Sequence, residues 1–116
     1  MVKMKKQNYR HLSAFILLML TETSMHGGAI HTAMMSRMPN FRSDTGAIYR
    51  ALQELESSGQ VNSVWDTSES GPARKIYTLT SLGWDELETW KKDIEMRVSN
   101  LTYFLDSYEK AQKNRG

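Results

Sequence analysis

The sequence predicts a mainly α chain with a β-hairpin wing, that is, a winged helix-turn-helix plus a long C-terminal dimerisation helix. Three observations carry that expectation. Apolar residues recur at helical spacing as far as Leu55. The period then falls to two between Val61 and Leu79, on either side of a Ser-Gly-Pro cluster. Three-four spacing resumes from Trp84 and continues to Tyr108. At 116 residues, 40% hydrophobic and 24% charged, the chain fits one domain with an appended element. The expected division is a basic arm over 1–11, a winged helix-turn-helix over 12–80, and a dimerisation helix with a short tail over 81–116.

The elements follow in order. Leu12 to Glu22 is apolar almost all round and reads as a mostly buried helix. Ser24 is the expected cap of a second helix whose first turn is opened by Gly27 and Gly28. That helix carries Ala29, Ile30, Ala33, Met34 and Met38, and stops at Pro39. Ser43 is the expected cap of a third helix, in which Ile48, Leu52 and Leu55 form one buried stripe. Gly59 falls where a left-handed C-terminal cap is needed. Val61–Trp65 and Ile76–Leu79 read as two strands of a hairpin, Thr80 as the next cap, and the rest as helix to about residue 110.

Composition excludes several classes. Cysteine is absent, which removes disulfides, thiol catalysis and Cys-based zinc sites. The longest apolar run, Ala14 to Leu20, is too short to span a bilayer. No small-x-small cleavage pattern follows it, so a soluble cytoplasmic protein is expected. Net charge is only +2, yet residues 1–80 hold nine Lys/Arg against six Asp/Glu. That bias fits a polyanion partner and equally a solvated face. His26 and His31 are five apart and make a poor metal pair. Neither a catalytic constellation nor a phosphate-binding glycine loop is present, so no enzyme, cofactor or metal is expected.

Three motifs in register add specificity. Met25-His26-Gly27-Gly28-Ala29-Ile30, Gly46-Ala47-Ile48-Tyr49-Arg50-Ala51-Leu52, and Gly71-Pro72-Ala73-Arg74-Lys75-Ile76-Tyr77-Thr78-Leu79-Thr80 resemble the PadR family of transcriptional regulators, in its short subtype with a single C-terminal helix. The resemblance covers residues 12 to 83. It departs at Gly28, where the family often has an aromatic residue, and at Asp44 and Arg50, where it often has proline. The resemblance implies a cytoplasmic, DNA-binding repressor acting as a homodimer on a pseudo-palindromic operator, with a planar aromatic or phenolic effector. The alternative is a winged-helix protein-interaction adaptor without specific DNA binding.

The residues expected to meet double-stranded DNA lie on the third helix and the wing. Ser43, Thr45 and Gly46 form a first turn whose free N–H groups favour a phosphate, with Arg42 just before it. Tyr49 can offer its hydroxyl to a phosphate and its ring to a thymine methyl, and Arg50 can reach a guanine edge. The plainer reading packs Tyr49 on the wing and leaves Arg50 solvated. Arg74 and Lys75 begin the second strand, where alternation sends their side chains to opposite faces. They serve either DNA backbone or a charged hairpin edge that discourages strand pairing.

On the last helix, Leu87, Ile94, Val98, Leu101, Leu105 and Tyr108 form a seam interrupted only by Lys91. A helix of this length, roughly 43 Å, exceeds what the winged domain can cover. A second copy of the chain is the economical partner. Trp84 and Trp90 fall beside the seam; the resemblance implies that they line an effector site between protomers, against plain packing as the alternative.

Overall fold

The computed structural model describes residues 10–68 and 70–116. The basic residues expected to form the N-terminal arm, Lys3, Lys5 and Lys6, lie outside the described residues. The elements are α1 (Leu12–Leu20), β1 (Met25–His26), α2 (Gly27–Arg37), α3 (Thr45–Ser57), β2 (Val61–Asp66), β3 (Arg74–Leu79) and α4 (Ser81–Asn114). The architecture is the winged helix-turn-helix with a long C-terminal helix that the periodicities predict.

The all-round apolar character of α1 has a direct cause, because it sits centrally and touches α2, α3, β3 and α4. Ile16, Leu17, Ile30, Met34, Ile48, Leu52 and Val61 are fully buried around it. Truncating one of the Leu or Ile side chains among them to Ala should cost about 2–5 kcal/mol. On α3 the buried stripe is Ile48, Leu52 and Leu55, widened by Ala47 and Ala51. No described helix is long and apolar enough to cross a membrane.

The sheet has one strand more than expected, in the order β1-β3-β2. The two-residue β1 pairs antiparallel with β3, Met25 opposite Tyr77 and His26 opposite Ile76. On the other side β2 pairs with β3 from Val61 opposite Leu79 to Asp66 opposite Arg74.

Several ends differ from expectation. α1 stops at Leu20, where the Thr21 hydroxyl donates back to the Leu18 carbonyl at 2.7 Å. The cap of α2 is His26, whose Nδ1 accepts from the Ala29 N–H at 3.2 Å. Ser24 is occupied elsewhere, bonded to the Thr78 hydroxyl at 2.8 Å. The cap of α3 is Asp44, whose carboxylate accepts from the Ala47 N–H at 2.7 Å. Ser43 instead lends its carbonyl to His31 Nε2 at 2.7 Å, tying the turn to α2. Finally, α4 continues past residue 110 to Asn114.

The joint between α3, the hairpin and α4 is tightly specified. Gly59 takes φ of +79°, and the Gln60 and Gly59 N–H groups close on the carbonyls of Leu55 and Glu56. This is the double C-terminal closure that a left-handed residue permits. The Thr80 hydroxyl donates to the Gly59 carbonyl at 2.6 Å and accepts from the Gly83 N–H at 3.1 Å. One side chain therefore caps α4 and ties it to the end of α3. From there α4 runs 34 residues, about 51 Å.

Candidate nucleic-acid interface

The exposed flank of α3, the first turn of α2 and the wing meet around an open groove of about 390 Å³. His26, Tyr49, Trp65, Arg74, Lys75 and Tyr77 line it, and none of its lining residues is a carboxylate. With Ile48 and Leu52 held in the core, helical geometry turns Tyr49 outward.

Tyr49 is 49% exposed, and its ring rests on the first turn of α2. A methyl carbon built at Gly27 would lie 2.8 Å from Tyr49 Cζ, an overlap. One built at Gly28 would lie 4.0 Å from the Tyr49 hydroxyl. The tyrosine is thus braced by α2 with much of its surface open.

Thr45 and Arg42 are exposed and Ser43 and Gly46 partly so, at the N-terminal end of α3. Arg42 donates to the Phe41 carbonyl at 3.0 Å. The Arg50 guanidinium folds back over Gly46, within 3.2 Å of where a side chain would begin. The Asp44 carboxylate borders the same position at 3.3 Å, so the cation offsets the acid's charge at this turn.

Arg74 and Lys75 diverge, as strand alternation requires. Lys75 turns toward α3, where its ammonium pairs with Glu56 at 3.1 Å and lies 5.9 Å from the Trp65 ring and 5.8 Å from that of Tyr77. Hydrogen bonds from Ser63 and then Lys75 hold the Glu56 carboxyl below its ordinary pKa, and the bond to Glu56 raises that of Lys75. Arg74 is exposed and reaches the other way, its Nη1 3.2 Å from His26 Nε2.

Two members of this groove escape sequence reasoning. Trp65 shares a face with buried Val61 and so reads as inward, yet it is 65% exposed because the hairpin's far end outruns the core. His26 is 48 residues from Arg74, and only β1 brings the two together.

A second groove, about 420 Å³, separates α1 from α4. Phe15, Leu18, Trp84, Leu87, Trp90 and Ile94 form its apolar walls. Leu87 and Trp90 also pack against the core, and Trp90 meets His11 edge-on at 5.7 Å between centroids. Trp84 is 56% exposed. Farther along, Val98, Leu101, Leu105 and Tyr108 are all exposed, with Phe104 stacked on Tyr108. Among the described residues no three of His, Asp and Glu converge on a point that could hold a metal ion.

These features match a known group. The model of the transcriptional regulator PadR-like family matches residues 16–89. A PadR family transcription regulator from Clostridium difficile is 27% identical, with 82% of this chain and 98% of that one covered, at a TM-score of 0.71. Bacillus subtilis PadR in complex with operator DNA is also 27% identical at a TM-score of 0.64, covering 70% of this chain and 46% of that one. An uncharacterised protein of Lysinibacillus sphaericus is 26% identical over 100 residues, covering 85% of this chain and 92% of that one.

Proposed function

This chain belongs to the PadR-like family of transcriptional regulators, which act on transcription and are not enzymes, and on that premise we propose that it is a dimeric, sequence-specific DNA-binding repressor. The observation that carries the reading is the groove between α3 and the wing. There a braced, half-open tyrosine and the Arg74 guanidinium border a surface without carboxylates.

In this reading α3 enters the major groove. Tyr49 and Arg50 face base edges and the nearest phosphates, while Arg42, Ser43, Thr45 and Gly46 present donors to the backbone. Arg74 anchors the wing on the sugar-phosphate chain. Lys75 adds charge from the side, since Glu56 already holds it. The operator complex of the Bacillus subtilis relative supports the same class of partner. Bound across a promoter, such a protein represses by occlusion, with no chemistry required.

The free length of α4 supports a two-fold dimer joined through Leu87, Ile94, Val98, Leu101, Leu105 and Tyr108. The winged module of residues 12–80 then reads DNA and residues 81–116 set the spacing. Two α3 helices address half-sites about one DNA turn apart, roughly 34–36 Å. The groove beside Trp84 and Trp90 is apolar and wide enough for a planar aromatic or phenolic effector. Such a ligand would regulate only by binding one arrangement of the dimer better than another.

Titration of labelled promoter-length duplex across a range of salt tests this reading. A DNA-binding dimer should lose affinity steeply, with a log-log slope near −0.9 per phosphate neutralised. Weak binding without sequence preference would overturn it.

A further inference from the structure

The contact between His26 and Arg74 holds a chemical contradiction that a ligand would resolve. A neutral imidazole has one acceptor nitrogen and one N–H. His26 uses its acceptor, Nδ1, to cap α2 by receiving the Ala29 N–H at 3.2 Å. With that cap made, the ring's N–H is Nε2, which lies 3.2 Å from Arg74 Nη1. Arginine offers donors alone. Two N–H groups thus face each other where a hydrogen bond would need an acceptor.

Among the described residues no acceptor is bonded between them, and Arg74 forms no ion pair. Asp66, opposite it in the hairpin, takes the Ser68 N–H at 2.9 Å and hydroxyl at 2.7 Å on the single oxygen Oδ1; the Ser68 bonds first and the Arg74 charge last hold its carboxyl below the ordinary value, without an ion pair to the guanidinium. Glu56, the acid nearest the groove's far wall, is taken by Lys75 and Ser63. Gly28 leaves room for the imidazole: a methyl carbon there would press on the ring at 3.2 Å.

We propose that His26 Nε2–H and the Arg74 guanidinium together clamp one phosphate of the bound duplex, joining the start of α2 to the wing across a single phosphodiester. The inference rests on the DNA-binding reading and adds His26 to it, as a neutral donor oriented by its own helix cap. Anionic oxygen is the acceptor both groups lack, and a charge-assisted bond to it is among the stronger ones available. Because one ligand spans α2 and β3, the clamp also fixes the wing relative to the helix-turn-helix.

Two measurements test the clamp. Long-range ¹H–¹⁵N correlation of the free protein reads the His26 tautomer. The clamp requires Nε2–H, and an Nδ1–H ring would overturn it before any DNA is added. Duplex titrations then compare the wild type with His26→Asn, Arg74→Gln and the double variant. Asparagine is a favoured N-cap, so His26→Asn keeps α2 while removing the Nε2–H. Each single change should weaken binding about tenfold, and the double should cost clearly less than both together, because the two share one phosphate. Only Arg74→Gln should shallow the salt slope, by about one phosphate's worth.

Wild-type affinity in His26→Asn would overturn the clamp while leaving the DNA-binding reading intact. Absence of duplex binding by the wild type would remove both. A His26 resonance that responds to micromolar inorganic phosphate, with duplex affinity unchanged in His26→Asn, would assign the site to free phosphate and overturn the duplex clamp.

Discussion

The Tyr49 ring and Gly27 are so closely apposed that the glycine position has no room for even a methyl group. Tyr49, which the proposed function turns toward DNA, is thereby braced by the helix before it, at an angle that leaves half its surface free. Gly27→Ala should destabilise the fold by about 1–3 kcal/mol through overpacking. In a Tyr49→Ala background the same change should become neutral or stabilising, because alanine suits a helix better than glycine. Thermal melts of the four proteins check the reversal of sign.

Tyr49→Ala alone should weaken duplex binding at least tenfold while leaving the oligomer unchanged. Sedimentation and duplex titration of the same sample separate the two effects. A loss of the oligomer along with the binding would mean that Tyr49 supports the fold rather than the contact.

The Thr80 hydroxyl both caps α4 and donates to Gly59. Thr80→Ala should cost about 1–2 kcal/mol, and Thr80→Ser should restore most of it. Denaturant unfolding measures both. This hydroxyl joins the end of α3 to the start of α4, beside the Thr80 N–H bond to the Gln60 carbonyl at 3.2 Å.

Acid should weaken the hairpin's attachment to α3. The Ser63 and Lys75 hydrogen bonds hold the Glu56 carboxyl below its ordinary value of 4.5. A carboxylate depressed in the folded state contributes stability that is fully present above its unfolded pKa and is lost as pH falls through the folded one. Glu56→Gln should therefore lower the melting temperature at pH 7 and flatten its decline below about pH 4.5. Asp66 and Asp93 are depressed in the same direction, chiefly by Ser68 and by Arg97. Part of the acid slope should survive in the variant for that reason.

Leu101→Asp should dissociate the proposed dimer without unfolding the chain, since Leu101 is 63% exposed in the single chain. Sedimentation should show a folded monomer whose operator affinity is at least tenfold weaker, because two linked half-sites bind more tightly than one. A planar aromatic effector should quench Trp84 and Trp90 emission and alter duplex affinity. Quenching without any change in affinity would separate the groove from regulation.

The order of elements was legible because each periodicity reports a buried face. Ile48, Leu52 and Leu55 predict the inner side of α3 and thereby the outward turn of Tyr49. Alternation likewise predicts that Arg74 and Lys75 diverge. Thr80 and Gly59 were legible as caps, but the N-caps of α2 and α3 were not, because Ser24 and Ser43 stand beside other competent groups and the choice is made by tertiary partners. Ser24 is drawn to Thr78, and the Ser43 carbonyl to His31. β1 is two residues long, too short to show a period, and with it the meeting of His26 and Arg74 stayed hidden. Trp65 shows the limit of alternation, which names a face but not where along a hairpin the core ends.

Selection of bound duplexes from a random pool by the purified protein, near physiological salt, tests the central claim most directly. The account predicts an enriched inverted repeat whose half-site centres lie about 10–10.5 base pairs apart, one DNA turn. No enrichment by a folded dimer would contradict it and favour a winged-helix adaptor that docks protein.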